Sequence, residues 1–303
     1  MSNGGIIGPV VNPVISDLNQ TFTASGNFNM PNSGPAPGQV DYLVVAGGGG
    51  AAKQTGSAGG AGGFRTSFPG GTKLTITKGS STSVTVGAGG AASQLGGSGT
   101  RGSDSIFSTI TSTGGGGGSA TVGGTASTQS PGGSGGGGGM GDNPSPNTGG
   151  LGNTPPASPS QGNNGGNGLG VPGLSDNGGG GGGGAGGVGS NATPGGGGNG
   201  GAGTANSITG SPVFYAGGGG GTGQPLNSTT GGSGGGGNGG TAATAGGINT
   251  GGGGGASSGY TPTTAKDGGS GIVVVLAPNA KVSAPGVWSL QCAYNFRKAG
   301  TWN

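Results

Sequence analysis

The residues able to do chemistry in this chain are few, and the missing types decide more than those present. There is no histidine, no glutamate and a single cysteine, and the six acidic residues are all aspartate. Serine–histidine–aspartate triads, cysteine–histidine pairs and histidine-ligated metals are therefore out of reach. Asp142 and Asp176 stand 34 positions apart in glycine-rich sequence. Each reads as an acceptor for a backbone hydrogen bond in its own loop, not as half of an acid–base pair. Cys292, between Gln291 and Ala293, has no histidine to activate it, and a lone cysteine makes neither an intrachain disulfide nor a thiolate metal site. GGSGTRGSDS (96–105) is similar to a calcium-binding nonapeptide repeat, but it occurs once and holds one aspartate, so it reads as a turn. Matches to G-x-G-x-x-G carry no weight where 94 of 303 residues are glycine, and none sits at a strand–helix junction as a dinucleotide site requires. The chain is expected to be non-enzymatic, with no catalytic residues, no metal site and no cofactor.

Binding chemistry remains. Charged residues are 5% of the chain and the net charge is +3. No Lys or Arg falls between Arg101 and Lys266, so nucleic acid, which needs a clustered basic footprint, is not an expected partner. The opening MSNGGIIGPVVNPVISD has no basic region ahead of an apolar run, so no secretory signal is expected. No stretch approaches the roughly 20 apolar residues of a membrane helix, so membrane insertion is not expected. Aromatic residues are scarce at 4%, yet Trp288, Tyr294, Phe296 and Trp302 gather in 285–303. Two readings of them stand side by side: aromatic anchors of an assembly surface, or a cap on the neighbouring β domain.

The elements that would position such residues fall into zones. QTFTASGNFNM, KLTITK (73–78) and SVTVGA (83–88) alternate apolar and polar residues as half-buried strands do, and DSIFSTI (104–110) is a further candidate. QVDYLVVA (39–46) and GIVVVLA (271–277) are apolar enough to be buried on both faces, hence central in one shared sheet. No segment has helical periodicity. The expected fold is mainly β and irregular with essentially no α-helix: an N-terminal arm (1–19), a small antiparallel β base (20–112 with 268–284), a glycine bundle (113–267) and the aromatic segment (285–303).

The glycine zone has a rhythm. Runs of four or more begin at 114, 135, 178, 195, 217, 234 and 251. A flexible linker has no reason to space its runs evenly, although Gly/Pro-rich sequence without a period is often disordered. Collagen fails because NTPPASPSQ (153–161) has no glycine at all. The third reading is a bundle of antiparallel polyglycine-II rods. This helix type has three residues per turn and no internal hydrogen bonds, so its N–H and C=O groups point sideways to neighbouring rods.

Read in order, VDYLVVAGGGGAA, GGAGGFRTS (59–67), VTVGAGG (84–90), GSDSIFSTITSTGGGGG (102–118), TGSPVFYAGGGGG (209–221) and GGSGIVVVLAP (268–278) form a signature. The chain resembles the glycine-rich domain of bacteriophage tail-fibre and other virion proteins over residues 20–278. The resemblance implies a β base carrying a polyglycine-II sandwich. It also implies a tail-fibre or tail-tip adhesin, or alternatively a structural or decoration protein of the tail or capsid. Implied partners are other tail or virion proteins and a host-surface glycan or outer-membrane protein, with a homo-oligomer left open. The implied location is the virion, assembled in the host cytoplasm. The N-terminal segment is short and unlike the attachment domain of the adhesins, and APGVWSLQCAYNFRKAGTWN lies outside the domain.

Eight alternating rods (114–118, 132–139, 162–170, 178–189, 195–203, 217–223, 231–240 and 251–255) place loops 119–131, 171–177, 204–216 and 241–250 at the far tip. Loops 140–161, 190–194, 224–230 and 256–270 then fall at the base. Val171, Leu174, Ile208, Phe214, Tyr215 and Ile248 are the apolar residues of the tip set, expected to recognise the receptor as exposed apolar groups rimmed by polar ones. Phe214 and Tyr215 carry a second reading, inward packing, because they belong to one of the family motifs.

Overall fold

The computed structural model describes residues 18–32, 38–53, 56–94, 97–122, 125–126, 130–141, 147–170, 176–224, 227–257, 264–277 and 298. Its named elements are all strands: β1 (Leu18–Phe22), β2 (Gly26–Asn29), β3 (Gln39–Val45), β4 (Phe64–Thr66), β5 (Leu74–Thr75), β6 (Ser81–Thr85), β7 (Ser105–Phe107), β8 (Ile110–Ser112), β9 (Thr121–Val122), β10 (Thr125–Ala126), β11 (Thr204–Asn206), β12 (Val213–Tyr215) and β13 (Ile272–Ala277). One isolated described residue beyond them, Lys298, is helical and exposed.

All strand pairs are antiparallel. One sheet runs β1-β13-β3-β4 with β5 also on β3, and a second runs β2-β6-β7-β8. The two most apolar segments lie side by side, with Val274 opposite Leu43 and Val275 opposite Tyr42. Alternation then sends their side chains to two different cores. Val40, Tyr42, Val44, Val273, Val275 and Ala277 pack with Phe28, Val84 and Phe107 from the second sheet. Phe28 and Phe107 meet edge to face at 5.7 Å, a favoured aromatic arrangement. On the opposite face Leu43, Val45, Ile272 and Val274 pack with Ala61, Ile208, Tyr215 and Ala216. A strand buried on both faces has no room for polar alternation, which is why these two read as continuous apolar runs.

The other strands are shorter than the sequence patterns suggest. QTFTASGNFNM is broken by a bend at 23–25 into β1 and β2, and KLTITK contributes only Leu74–Thr75 at the sheet margin. In DSIFSTI, Ser108 takes a positive φ of 53°, turning β7 back into β8.

The glycine segments are assigned neither helix nor strand over most of their length. Their backbone N–H groups donate to carbonyls of segments far away in sequence. Gly49 N–H bonds Gly60 O at 2.8 Å, Gly60 N–H bonds Gly116 O at 2.8 Å, and Gly116 N–H bonds Ser134 O at 2.9 Å. Gly219 N–H bonds Gly59 O at 3.0 Å and Gly253 N–H bonds Gly217 O at 2.9 Å. These bonds satisfy donors that would otherwise be buried without partners.

Such packing requires glycine because of distance. A Cβ on Gly59 would fall 1.9 Å from the Gly49 carbonyl oxygen and 3.0 Å from Gly254 N. No side chain fits there, so the close approach at this position depends on the missing Cβ. The bundle also reaches beyond 113–267: segments 46–53, 56–63, 86–93 and 97–104, inserted between base strands, are hydrogen-bonded into it. Base and bundle are therefore interleaved along the chain.

Candidate binding surfaces

The hydrogen-bond pattern sorts the bundle into a base end and a free end. Strand β3 ends at Val45 and continues outward as 46–53, and 56–63 returns to β4. Further outward passes are 86–93, 113–120, 134–141, 161–170, 187–192, 216–223, 235–240 and 251–257. The returns are 97–104, 130–133, 147–153, 177–184, 196–203, 229–233, 244–247 and 264–271. At the base end Ala46 N–H bonds Gly63 O, Ala185 N–H bonds Ala216 O, Ala216 N–H bonds Thr250 O, and Gly251 N–H bonds Ser270 O. At the free end Lys53 N–H bonds Ser93 O, Gln224 N–H bonds Asn177 O, and Gly195 N–H bonds Asp176 O. Lys53 also pairs with Ser257.

This arrangement changes the position expected for several residues. Ile208 is 3% exposed and packs with Leu43, Val45 and Val274 against the base sheet; it is not a tip residue. Tyr215 is 4% exposed in the same cluster, so of its two readings inward packing is the one the structure shows. Burial pushes its phenol pKa up, against a smaller lowering by a hydrogen bond with Thr209. Phe214 is 50% exposed, but β11 and β12 form a hairpin tied to the base by Asn206, whose Nδ2 donates to Phe68 O at 2.8 Å. Ile248, 78% exposed, sits in the turn 248–250 at the base end, because Asn249 N–H bonds Ser270 Oγ at 2.9 Å just ahead of β13. Val171 and Leu174 lie outside the described residues, as do Trp288, Tyr294, Phe296 and Trp302.

The path departs from eight simple alternating rods for a physical reason. The runs 178–189 and 231–240 each hold a reversal, a bend at 185–187 and a turn at 233–235. Gly234 and Gly235 take φ of 89° and 90°, conformations glycine adopts freely. A turn made from the same residue as its flanks leaves no mark in the sequence. Loop 204–216 and turn 248–250 therefore belong to the base end, whereas 191–196, 227–229 and 257 belong to the free end. One signal was available: LVVAGGGG (43–50) and VFYAGGGG (213–220) share a pattern, and both mark a strand leading directly from the base into an outward pass.

Among the described residues the two ends differ in chemistry. Leu151, Val188, Val213, Phe214 and Ile248 are exposed apolar residues, and all lie on base-end turns or pass ends. Exposed residues of the free end include Asp176, Asn191, Thr193, Ser228 and Thr241, a polar surface backed by the small buried cluster Ala51, Ala256 and Ala265. Along the flanks asparagine side chains close the bundle. Asn167 Oδ1 accepts from Gly149 N–H at 3.0 Å, Asn164 from Gly152, Asn199 from Thr230 and Asn238 from Gly231. An outer pass would otherwise offer unpaired N–H groups to another chain, as an open sheet edge does.

Among the described residues no group of three or more His, Cys, Asp or Glu is placed to hold a metal ion, and no helix is long and apolar enough to cross a membrane. No protein of curated function matches the chain. The glycine-rich domain family matches residues 23–278, from just after β1 to just past β13. With most of its length in that match, and with glycine passes anchored on paired apolar strands, the chain belongs to the glycine-rich domain family.

Proposed function

We propose that this is a non-enzymatic bacteriophage virion protein, a tail-fibre or tail-tip adhesin that attaches through its base and presents the free end of its glycine bundle to the host surface. The observation that carries this reading is the polarity of the chain. Leu18, where the described fold begins, pairs with Ala277, where the last strand ends, on the side of the base away from the bundle. The described fold is thus entered at Leu18 and left at Ala277 on the side opposite the free end. At that free end the polar turns around Asp176, Thr193 and Ser228 would meet a host glycan or outer-membrane protein. The aromatic segment 285–303 would contact other virion proteins.

In this reading the glycine passes are polyglycine-II rods. Their lateral hydrogen bonds and a backbone that is neither strand nor α-helix over most of its length support it, as do glycines whose α-positions abut neighbouring carbonyls. A structural or decoration role without receptor recognition is the second reading, favoured by the exposed apolar residues at the base end.

Locating the chain in intact particles by electron cryomicroscopy separates the two readings. Density at a fibre tip with the bundle pointing outward supports the adhesin; density over the capsid or tail tube supports the second reading. For an adhesin, replacing 191–196 and 227–229 with Ser/Gly sequence reduces host adsorption while the protein still enters particles. Unchanged adsorption would contradict recognition by the free end.

A further inference from the structure

The two edges of the first sheet are finished differently. At one edge β4 is covered: Phe64 N–H points away from β3 and bonds Gln161 O at 2.8 Å. At the other edge, among the described residues, no backbone bond reaches β1 except from β13.

The pairing shows which groups stand open. Each strand residue sends its N–H and C=O to one side, and neighbours alternate. Ala46 N–H bonds Gly63 O and Ser67 N–H bonds Tyr42 O, so Tyr42, Val44 and Ala46 turn their backbone groups to the β4 side. Asp41, Leu43 and Val45 therefore bond Leu276, Val274 and Ile272, their partners in register. Val273, Val275 and Ala277 are left to bond Phe22, Gln20 and Leu18. The backbone N–H and C=O groups of Asn19 and Thr21 consequently face away from the sheet, and both residues are exposed.

Nothing in the strand protects this edge. Natural edges are blunted by proline, lysine, an inward charge or a bulge; LNQTF has no proline or charge, and its register with β13 is unbroken. Elsewhere asparagine side chains close the glycine passes, but Asn19 uses its amide on the β11–β12 hairpin, donating from Nδ2 to Ile208 O at 3.0 Å. At the start of the strand Leu18 is 40% exposed.

We propose that β1 pairs with β1 of a second copy of this chain, antiparallel and centred on Gln20, so that the first sheets of two molecules become one. The strand is self-complementary in that register. Asn19 meets Thr21 of the second copy and Thr21 meets its Asn19, giving four backbone hydrogen bonds. Gln20 faces Gln20 across the two-fold axis. Each exposed Leu18 lies opposite the other copy's Phe22, which lines the core on the same face. Centring on Asn19 or Thr21 instead would set Leu18 or Phe22 opposite Gln20. Because the paired strands run in opposite directions, the two free ends point apart. The inference does not rest on the virion reading.

The test begins with sedimentation equilibrium of the full chain from about 10 μM to about 1 mM, the range of weak pairing. Monomer is expected to convert to dimer across it. Amide exchange at Asn19 and Thr21 slows as the dimer forms, while Gln20 and Phe22, already bonded to β13, do not change. Thr21→Pro removes an outward donor at a position where an edge strand tolerates proline, and is expected to weaken dimerisation about tenfold or more. In a Cys292→Ser background, Gln20→Cys is expected to give a disulfide-linked dimer, because Cα atoms of a non-hydrogen-bonded antiparallel pair lie about 4.5 Å apart. Thr21→Cys in that background is not, since its two copies stand two residues out of register, beyond the reach of about 7 Å. A monomer at every concentration overturns the proposal. So does a dimer unaffected by Thr21→Pro, or one crosslinked as well through Thr21→Cys as through Gln20→Cys. Slow exchange of Asn19 and Thr21 in the monomer would place a segment of the same chain on the edge, and overturns it too. None of these experiments reads host adsorption, so the failure of this pairing and of the adhesin reading are distinguishable.

Discussion

The base and the bundle solve the same burial problem with opposite materials. In the base, Phe28, Phe107 and the valines of β3 and β13 remove apolar surface from water, and the backbone bonds follow the sheet. In the bundle few large side chains exist to bury, and the buried groups are mostly peptide units bonded sideways from pass to pass. Stability in the first region depends on volume present; in the second it depends on volume absent. The same methyl group is therefore worth opposite signs in the two halves of one molecule.

The largest expected effect is the addition of one methyl to the bundle. Gly59→Ala places Cβ against the Gly49 carbonyl and is expected to cost about 4 kcal/mol or more, because backbone on both sides must shift. Denaturant unfolding measures it. Gly70→Ala is the control: its φ is 77° but nothing lies within 4 Å of the added atom, so about 1 kcal/mol of backbone strain is expected. Equal costs for the two would show that conformation, not close approach, is what demands glycine.

Removing volume from the base comes next. Phe107 is fully buried against Phe28, and Phe107→Ala is expected to cost about 3–5 kcal/mol. Because passes 97–104 and 113–120 flank β7 and β8, the bundle should lose protection together with the sheets. A bundle that melts separately would mean that the two regions are coupled only through the chain.

Smaller effects sharpen the comparison at the surface. Asn227 Oδ1 accepts from Gly197 N–H at 3.2 Å and Gly223 N–H at 3.0 Å. Asn227→Ala is expected to cost about 1–2 kcal/mol and to speed amide exchange at those two glycines alone. The smallest effect is on pH dependence and belongs to the base. Burial raises the pKa of Tyr42 and Tyr215 above the ordinary 10.0. Below that value both states carry the proton and the contribution is complete; above it the unfolded chain ionises first, so stability falls as pH rises through the folded pKa. Tyr215→Phe should flatten part of that alkaline slope in a pH series of unfolding curves.

Much of the base was legible because strands carry side chains. The runs at 39–46 and 271–277 announced burial on both faces, and they pair. The bundle was legible as a rhythm but not as a path. Ser, Thr, Asn and Pro marked loops, whereas the reversals at 185–187 and 233–235 lie within glycine and are silent. That silence moved Ile208 and Ile248 to the wrong end. β4 and the β11–β12 hairpin were also missed, since three-residue strands are too short for alternation to register.

Backbone hydrogen exchange, resolved by residue, tests the central claim most directly. If lateral bonds hold the glycine passes, the amides of Gly49, Gly60, Gly116, Gly182 and Gly219, each bonded to a distant pass, will exchange as slowly as those of Leu43 and Val274. They will lose protection in the same cooperative transition. Exchange at unprotected rates across 113–257, with Leu43 and Val274 still protected, would contradict the account: the glycine zone would then be a tether on a β sandwich, unable to hold any surface in a fixed position.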